Sequence, residues 1–600
     1  MSELQNRRYK EVEPEETVKR LKKLLKEMKI EVEEVWEKRS SVGTYSLRVR
    51  IKGTDIGQNG KGMTKEFAMA SGYAEFFERL QNGIFRFRME KPTEEIPFIN
   101  SPDEKYLTLE ELMKDHNSIL ENIIKKNRYE NKTQEEKIKY MKENFYGDSK
   151  SEEKYLSLPY YSVKYKEIEY VPDKLFNYLF GSNGMCAGNS PEEALIEGLS
   201  EIFERYVGIR ILKERLTLPE IPENYINNFP KVKEMLEKLK ENKNYYFKLI
   251  DCSLGGKYPV AGLYILEKNT GKFGFKLGAH PDYGIAMERC FTEASQGRDI
   301  YKYAQNYLFD FYEQDENEDK NLTKFVKSEL TEVPYQIIGE KSNYEFTQMP
   351  DVSDLDNKAI LKKLVNTILE DGKDIIIRDL SILGFPTYSI AISGMSEVSF
   401  DPDGKYLKII DTMQNFLKDF NTINLNNIEE IIKIMETIVN KVGCEELSMF
   451  INLKNIGILP CEKMGMGAKY FLAIAYIMNK QYNEAAKILE ELSFISDSFN
   501  GGSIETIMVK AVYYYASAMD KMKEHEKAMH YINIMFDSQI AEAINISFKG
   551  RENIFLNHYN VTADDYVDND DSYYLPFMKR FREAQRDNVI NQMNNYKIFE

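Results

Sequence analysis

Between residues 182 and 207 the chain reads SNGMCAGNSPEEALIEGLSEIFERYV. The first half of this stretch is typical of a glycine-containing turn that leads into a helix, with Asn189 or Ser190 as the N-cap and Pro191 at the first helical position. Two explanations are open: the turn is a simple helix cap, or it presents Asn189 and Glu193 to a ligand. Under both, the stretch predicts a helix that begins at Pro191.

The end of this stretch repeats a pattern found elsewhere in the chain. Residues 201–205 are Glu-Ile-Phe-Glu-Arg, residues 75–79 are Glu-Phe-Phe-Glu-Arg, and a weaker third version runs from Glu293 through Gln296 to Arg298. Two carboxylates at positions i and i+3 share a helix face, where their repulsion is roughly 3 kcal/mol at an effective dielectric constant of ~20. Each pair therefore faces water or has a cation beside it.

A lone pair of this kind is usually a solvated charged face. Its recurrence with phenylalanine at the same internal position favours a carboxylate-rich pocket for hard cations. Mg²⁺ prefers a few carboxylates, water and substrate phosphates, and neighbouring arginines can hydrogen-bond phosphate oxygens with two N–H groups. The chain contains no phosphate-loop spacing, no HExxH and no GxSxG. The pattern therefore predicts a nucleotide site that does not use a phosphate loop.

The composition limits the partners and the compartment. The 600 residues include 81 Lys+Arg and 97 Asp+Glu, a formal net charge of −16, and 42% are hydrophobic. That balance excludes a fully disordered chain and makes direct nucleic-acid binding a poor expectation. The five cysteines form no CxxC motif, and no apolar run is long enough to span a membrane. We expect a cytoplasmic protein without a membrane partner.

Strand and helix patterns are mixed without a regular βαβ cycle, which predicts an α+β fold. Alternating apolar residues predict strands at 45–51, 258–266 and 388–392, and helical spacing is evident at 64–80 and again from 174 to 213. Residues 101–155 are polar and rich in Lys and Glu. We interpret them as a surface insertion.

The character of the chain changes after residue 440. Alanines and tyrosines at helical spacing occur between 468 and 489 and between 511 and 531. Small residues at such positions allow two helices to approach closely, as in tetratricopeptide pairs. The sequence therefore predicts two domains, a mixed core at 1–440 and a tetratricopeptide-like helical domain at 441–600. A packed helical appendage without a partner is the other interpretation of the second domain.

Taken together, three segments resemble the YcaO family: 59–79, 182–207 and 278–298. The resemblance extends over roughly residues 1–440. It implies a fold particular to that family, with ATP bound through Mg²⁺. It implies that the metal is held by Glu75, Glu78, Glu201, Glu204 and Glu293. It further implies nucleotide contacts from Lys10, Thr17, Ser71, Glu78, Asn189, Glu193, Arg205, Arg289, Gln296 and Arg298.

The activity that the resemblance implies is activation of a peptide or protein backbone amide by phosphorylation of its oxygen. Phosphoryl transfer requires positioning and charge neutralisation more than a strong base, so a site poor in histidine is compatible with it. Cys186 and Cys252 are expected to be small core or lining residues and not nucleophiles, because nothing near them in sequence would depress a thiol pKa.

Within the family, the chain is most similar to the stand-alone bacterial members that assist methylthiolation of a ribosomal small-subunit protein. The runs at 218–222 and 393–396 strengthen this likeness, and the proline-free ending at 594–600 is unlike that of azoline-forming members. The implied partners are a peptide or protein substrate, a radical methylthiotransferase, a ribosomal small-subunit protein and a second copy in a homodimer. The alternative is a non-catalytic ATP-binding adaptor whose helical domain recruits a modifying enzyme or its substrate.

Overall fold

The protein is described here from a computed structural model. The described residues are 3–53, 56–85, 92–144, 154–304, 307–308, 311, 333–398, 409, 412–413, 416, 420–442, 466–500, 503–550, 554–555 and 571–593. The last seven residues, whose lack of proline was noted above, and part of the predicted insertion, 145–153, lie outside these ranges.

The chain divides into two compact units. The first comprises Met1–Ile138, Ser151–Pro402 and Ser572–Glu600, and the second comprises Lys139–Lys150 and Asp403–Asp571. The sequence predicts a domain boundary at 440/441, whereas the boundary between the two units falls at 402/403. In addition, residues 572–600 belong to the first unit and not to the second. Helical periodicity reveals an apolar face but does not reveal which unit that face packs against.

Thirteen strands form three antiparallel sheets in the described part of the chain. A three-stranded sheet contains β1 (Val32–Trp36), β2 (Tyr45–Ile51) and β3 (Gly57–Gly62). A six-stranded sheet contains β4 (Lys105–Leu107), β5 (Tyr155–Ser162), β6 (Glu167–Pro172), β7 (Met185–Ala187), β12 (Ile376–Asp379) and β13 (Thr387–Ala391). A four-stranded sheet contains β8 (Tyr245–Asp251), β9 (Val260–Glu267), β10 (Lys272–Ala279) and β11 (Tyr307–Leu308). The predicted α+β class is confirmed.

The helices are numbered in chain order. Up to residue 370 they are α1 (Glu3–Asn6), α2 (Pro14–Glu27), α3 (Lys65–Gln81), α4 (Leu109–Leu112), α5 (Ser118–Lys126), α6 (Gln134–Asn144), α7 (Asp173–Phe180), α8 (Pro191–Glu214), α9 (Glu223–Ile226), α10 (Pro230–Glu241), α11 (Tyr283–Ala294), α12 (Ile300–Tyr303) and α13 (Asn357–Glu370). Beyond it they are α14 (Ile428–Thr437), α15 (Gly467–Met478), α16 (Tyr482–Asn500), α17 (Ile504–Met522), α18 (His525–Met535), α19 (Ser538–Phe548) and α20 (Asp571–Asp587).

Two strand glycines let helices lie unusually close to the sheets. A Cβ atom at Gly60 on β3 would lie 2.3 Å from the carbonyl oxygen of Ala68 on α3. A Cβ atom at Gly278 on β10 would lie 2.4 Å from the carbonyl oxygen of Ala286 on α11. Real side chains do not tolerate such distances, so only glycine permits this packing. These contacts fix where α3 and α11 sit, and therefore where their carboxylates lie.

Residues 105–126 are part of the first unit's fold, which differs from the predicted surface insertion. Strand β4 pairs with β5, from Lys105 opposite Ser157 to Leu107 opposite Tyr155. Helices α4 and α5 bury Leu109, Leu112, Ile119, Leu120, Ile123 and Ile124. The average composition of the segment is polar, but its apolar residues are concentrated on one face of two short helices.

The second unit is helical where it is described. Connections of three residues, 479–481 and 501–503, join α15 to α16 and α16 to α17, and consecutive helices are in contact. Ala485 and Ala511 are buried in these helices. The tetratricopeptide-like character of the unit remains a prediction. None of the helices in the described ranges has both the length and the apolar character needed to cross a bilayer.

The last described helix completes the core of the first unit. Phe577, Met578 and Phe581 of α20 are buried in the same cluster as Val18 and Leu21 of α2. Arg582 Nη2 donates to the carbonyl oxygen of Phe98 at 2.6 Å. Gln592 makes two hydrogen bonds to the backbone of Asp379, accepting from its N–H at 2.9 Å and donating to its carbonyl oxygen at 3.0 Å. The segment is therefore integral to this unit.

Candidate nucleotide and metal site

Three strand-to-helix turns place the repeated acidic patterns. Helices α3, α8 and α11 follow β3, β7 and β10, and each begins at a side-chain cap: Thr64, Ser190 and Asp282. Each cap accepts a hydrogen bond from a backbone N–H of the first helical turn. The prediction of a helix beginning at Pro191 is correct, and Ser190 is the N-cap.

Glu75 and Glu78 lie beside Arg79 on α3. Arg79 Nη1 is 3.0 Å from Glu78 Oε1, and Nη2 is 3.7 Å from Glu75 Oε1. Burial raises the pKa of Glu78 well above its usual range, because the attraction of Arg79 does not compensate for lost hydration and for the charges of Glu75 and Glu201. Burial likewise raises the pKa of Glu75, with contributions from Glu201 and Glu293. Carboxylates from three helices therefore repel one another here.

Helix α8 contributes a second row of carboxylates. Glu201 Oε1 pairs with Arg205 Nη2 at 2.9 Å. Burial and the charge of Glu293 raise the pKa of Glu204 to about 7. Glu197 behaves in the opposite way: its burial would raise the pKa, but Arg289 and Lys10 outweigh that effect and hold the pKa well below its usual range. Nearby cations thus outweigh the effect of burial at Glu197, whereas at Glu204 they do not.

Lys61 of β3 lies between helices α3 and α11. Its Nζ lies 2.6 Å from Glu293 Oε1 and 3.3 Å from Gln296 Oε1. Burial alone would lower the pKa of Lys61, but Glu293 and Glu75 raise it above its usual range, so the lysine is fully charged. Ser71 of α3 accepts a 3.4 Å hydrogen bond from the backbone N–H of Lys61. The lysine therefore lies between the carboxylates of α3 and those of α11.

The turn before α8 is tied to the N-terminal segment. Thr17 Oγ1 donates to Asn189 Oδ1 at 3.0 Å, and Asn189 Nδ2 donates to Glu193 Oε1 at 3.1 Å. Glu193 also accepts from the backbone N–H of Glu11 at 2.9 Å and lies 3.4 Å from Lys10 Nζ. Lys10 and Thr17 are thus adjacent to Glu193 and Asn189, respectively.

Arg289 joins α11 to α8. Its Nη2 lies 2.5 Å from Glu197 Oε2, and its Nη1 donates to the carbonyl oxygen of Ala279 at 2.9 Å. On the same helix, Glu288 pairs with Arg8 of the N-terminal segment. Burial, and then the charge of Arg289, lower the pKa of His280 well below its usual range, so this imidazole is neutral. It can accept or donate a hydrogen bond but adds no positive charge.

The structure brings together most of the residues singled out in the sequence. Contacts or mutual charge effects link Lys10, Thr17, Ser71, Glu75, Glu78, Asn189, Glu193, Glu201, Glu204, Arg205, Arg289, Glu293 and Gln296. For Arg298, the structure places the guanidinium 4.9 Å from the ring centroid of Tyr303.

Three residues of the cluster were not singled out from the sequence: Lys61, Arg79 and Glu197. Glu197 lies four residues after Glu193 and four before Glu201, so the i, i+4 spacing along α8 could have indicated it. Arg79 ends the repeated pattern but was not assigned a role. Lys61 gave no comparable signal, because its partners lie far away in sequence.

The donor set fits a divalent cation. Burial raises the pKa values of Glu75 and Glu78 on α3 and of Glu204 on α8, and the neighbouring cations do not offset this effect. Oxygen donors of this kind suit Mg²⁺, which retains water and phosphate ligands besides a few carboxylates. A divalent cation bound among these groups would stabilise their ionised forms and so lower their pKa values. The arrangement can therefore hold a metal and, through the arginines and lysines beside it, a polyphosphate.

Comparison with known proteins agrees with this chemistry. An uncharacterized protein of Haemophilus influenzae is 31% identical over 362 residues, 58% of this chain and 59% of that protein. The ribosomal protein S12 methylthiotransferase accessory factor YcaO of Escherichia coli strain K12 is 29% identical over 389 residues, 64% of this chain and 65% of the relative. The chain thus aligns with less than two thirds of the length of these curated relatives.

Two solved structures are also similar. A heterocyclase in complex with substrate and cofactor shares 18% identity over 65% of this chain and 53% of its own, with a TM-score of 0.45. YcaO from Methanopyrus kandleri, bound with AMPPCP and Mg²⁺, shares 17% identity over 64% of this chain and 92% of its own, with a TM-score of 0.39. The family model described as YcaO cyclodehydratase, ATP- and Mg²⁺-binding, matches residues 59–396. Since that match covers more than half of the 600 residues, the chain belongs to the YcaO family and contains its ATP- and Mg²⁺-binding domain.

Proposed function

We propose that the carboxylates of α3, α8 and α11 hold the Mg²⁺ of a bound Mg²⁺·ATP. The ligands would come from Glu75, Glu78, Glu201, Glu204 and Glu293. Ser71, Asn189, Glu193, Arg205, Arg289 and Gln296 would contact the nucleotide, with Lys10 and Thr17 supporting Glu193 and Asn189. The observation that carries this assignment is the convergence of these carboxylates around shared cations: Arg79 lies 3.7 Å from Glu75 and 3.0 Å from Glu78, and Lys61 lies 2.6 Å from Glu293. The raised pKa values of Glu75, Glu78 and Glu204 agree with it. Contact of Arg298 with the nucleotide stays a prediction.

The reaction that we propose is ATP-dependent activation of a peptide or protein backbone amide. The amide oxygen attacks the terminal phosphorus of ATP, the bond to the bridging oxygen breaks, and ADP leaves. A nucleophile then adds to the amide carbon, and the phosphate departs with the former amide oxygen. Bound Mg²⁺ neutralises charge on the triphosphate. The chain's own contribution is positioning and electrostatic stabilisation, for which Arg79, Arg289 and Lys61 are suitably placed.

The substrate that we propose is a ribosomal small-subunit protein, and the accompanying enzyme a radical methylthiotransferase. This follows the printed name of the E. coli relative, an accessory factor for the S12 methylthiotransferase. A homodimer and a cytoplasmic location are retained as expectations of the same proposal.

The test uses isothermal calorimetry and isotope transfer. Glu75→Ala and Glu204→Ala should each abolish Mg²⁺·ATP binding while circular dichroism remains native-like. With a candidate acceptor whose backbone carbonyls carry ¹⁸O, turnover should yield ADP and ¹⁸O-containing phosphate in equal amounts. Unchanged ATP affinity in both variants would refute the metal assignment. Phosphate without the label would refute amide activation while leaving the nucleotide site intact.

A second candidate function is a non-catalytic ATP-binding adaptor. The observation that favours it is the exposure of large apolar side chains in the helical unit, namely Phe494 at 78%, Ile504 at 73% and Ile534 at 71%. Exposed apolar residues in number are typical of surfaces that meet another protein. Because residues 572–600 belong to the other unit, truncation at 441 would also remove part of that unit. Point substitutions are the appropriate probe.

The adaptor hypothesis predicts that Phe494→Ser and Ile534→Ser weaken capture of a purified methylthiotransferase without affecting Mg²⁺·ATP binding. Lys487→Ser on the same helix as Phe494 serves as the control, since its side chain pairs only with Glu484 at the surface in the described contacts. Equal capture by all variants would count against the adaptor. Acceptor-dependent ATP turnover would show that the protein is an enzyme.

A further inference from the structure

A second group of metal-ligating side chains lies outside the acidic cluster, around His116. The residue precedes α5, Glu169 is on β6, and Asp374 precedes β12. One ligand atom from each lies within 4.8 Å of the others. Glu169 and Asp374 are 3% and 8% exposed, so both carboxylates are removed from water. None of the three residues belongs to the YcaO repeats described above.

The geometry at the imidazole resembles that of a metal-binding histidine. His116 Nε2 is buried and makes no hydrogen bond to the described residues, while Glu169 Oε2 and Asp374 Oδ2 are each 3.8 Å away. That distance is too long for a hydrogen bond. Two atoms that bind one ion at ~2.1 Å in a tetrahedral site are about 3.4 Å apart, so 3.8 Å is near the spacing of two ligands of a shared metal.

The other ring nitrogen of His116, Nδ1, is hydrogen-bonded to a carboxylate. His116 Nδ1 lies 3.0 Å from Glu121 Oε1. An ionised carboxylate can only accept, so Nδ1 carries the proton, and in the neutral ring Nε2 presents its lone pair to the two buried carboxylates. A carboxylate that binds the distal N–H of a ligating histidine is a regular feature of zinc sites.

The two carboxylates are also oriented by their own hydrogen bonds. Glu169 accepts from Ser118 Oγ at 2.6 Å and from the Ser118 backbone N–H at 3.0 Å. Asp374 accepts from Ser162 Oγ at 2.6 Å and from the Lys164 backbone N–H at 3.0 Å. Each group is therefore fixed before any ion arrives, as the supporting residues of a metal site require.

We propose that His116, Glu169 and Asp374 bind a divalent transition-metal ion of the Zn²⁺ class, with water as a fourth ligand. One imidazole nitrogen and two carboxylate oxygens suit Zn²⁺ better than Mg²⁺, which favours all-oxygen coordination. The ion would join the start of α5 to two strands of the six-stranded sheet. Its role would be structural, since Glu169 lies on β6 and the other two ligands lie two residues before α5 and β12.

The test measures binding of Co²⁺ alone, as an optical substitute for Zn²⁺, to the full-length chain after dialysis against a chelator. The wild type should bind one tight equivalent with the intense visible absorption of a four-coordinate nitrogen–oxygen site, and Zn²⁺ should displace it. His116→Ala should lose that equivalent. His530→Ala, which removes an exposed imidazole elsewhere, should retain it, as should the Glu78→Gln and Glu204→Gln double variant.

Glu121→Ala leaves all three ligands in place and should weaken Co²⁺ binding about 10- to 100-fold. This variant decides the question if His116→Ala fails to fold by circular dichroism. Equal Co²⁺ binding by the wild type, His116→Ala and Glu121→Ala would overturn the proposal. So would the absence of a tight equivalent in the wild type, because the three groups would then be an ion-pair network only. The double variant Glu78→Gln and Glu204→Gln removes the negative charge of two of the proposed Mg²⁺ ligands. Co²⁺ binding that this variant retains therefore does not come from the Mg²⁺·ATP site, and the two proposals can fail independently.

Discussion

Lys61 on β3 and Glu293 at the end of α11 are joined by an ion pair of 2.6 Å between Nζ and Oε1. The two residues are far apart in sequence, yet the lysine also lowers the pKa values of Glu75 and Glu204 on two other helices. Lys61 is therefore a positive charge that acts on carboxylates of α3, α8 and α11. Its effect on their protonation leads to the first two predictions.

The affinity for Mg²⁺·ATP should increase as the pH rises from about 6 to 8. The pKa of Glu204 is about 7, so this carboxyl is largely protonated at pH 6 and ionised at pH 8. Only the ionised form attracts a cation, and binding therefore releases a proton. The measurement is calorimetry in buffers of different ionisation enthalpy.

The variant Glu204→Gln keeps a side-chain oxygen that can ligate Mg²⁺, so it should still bind Mg²⁺·ATP, but with a flatter pH dependence than the wild type. Both proteins meet the same nucleotide, so titration of ATP itself cancels in the comparison. Glu214→Gln, at the exposed end of the same helix, is the matched control and should follow the wild type. A Glu204→Gln profile superimposable on that of the wild type would contradict the assignment of Glu204.

Removing the charge of Lys61 should move the pH dependence to higher pH. Lys61→Met eliminates an attraction that lowers the pKa of Glu204, so this carboxyl would ionise later. Lys61→Arg keeps the charge and should leave the midpoint of the profile near that of the wild type. The profiles of the three proteins can be compared by the calorimetric titration just described; a downward shift in Lys61→Met would show that the electrostatic argument is wrong.

Cys186, Cys252 and Cys290 should resist alkylation in the native protein. All three are buried, and burial raises the pKa of each thiol well above its usual range, so little thiolate forms. Peptide mapping after iodoacetamide treatment should find them unmodified until denaturant is added. For Cys186 and Cys252, this agrees with the role expected from the sequence. Rapid modification of Cys186 under native conditions would reopen the question of a nucleophilic thiol.

Phe581→Ala should destabilise the first unit by about 3–5 kcal/mol, because its fully buried ring fills the core beside Val18 and Leu21. Lys579→Ala, on the exposed face of the same helix, should change the unfolding free energy by less than about 0.5 kcal/mol. Urea unfolding followed by circular dichroism separates the two. Similar midpoints for both variants would mean that α20 contributes little to this core.

Much of the site could be predicted from the sequence because its parts are local. The cap at Ser190, the alternation along β2 and the repeated acidic patterns on α3 and α8 each depend on a few neighbouring residues. Membership of the family follows from the same segments.

The remainder depends on distant partners. Lys61 is recognisable as part of the cluster only when β3 and α11 are seen together, and the pairing of β4 with β5 depends on a short strand with exposed side chains. The return of α20 to the first unit has no local signal either. An amphipathic helix has the same pattern whichever core it completes.

The position of α20 has a consequence for synthesis. Residues 403–571 must leave the ribosome before 571–593 can contact α2, so the unit that carries the acidic cluster closes only after the helical unit has emerged. A nascent chain interrupted inside the helical unit would lack Phe577, Met578 and Phe581 and would expose the apolar surface they cover. An intact core in the first unit is thus withheld from incomplete translation products.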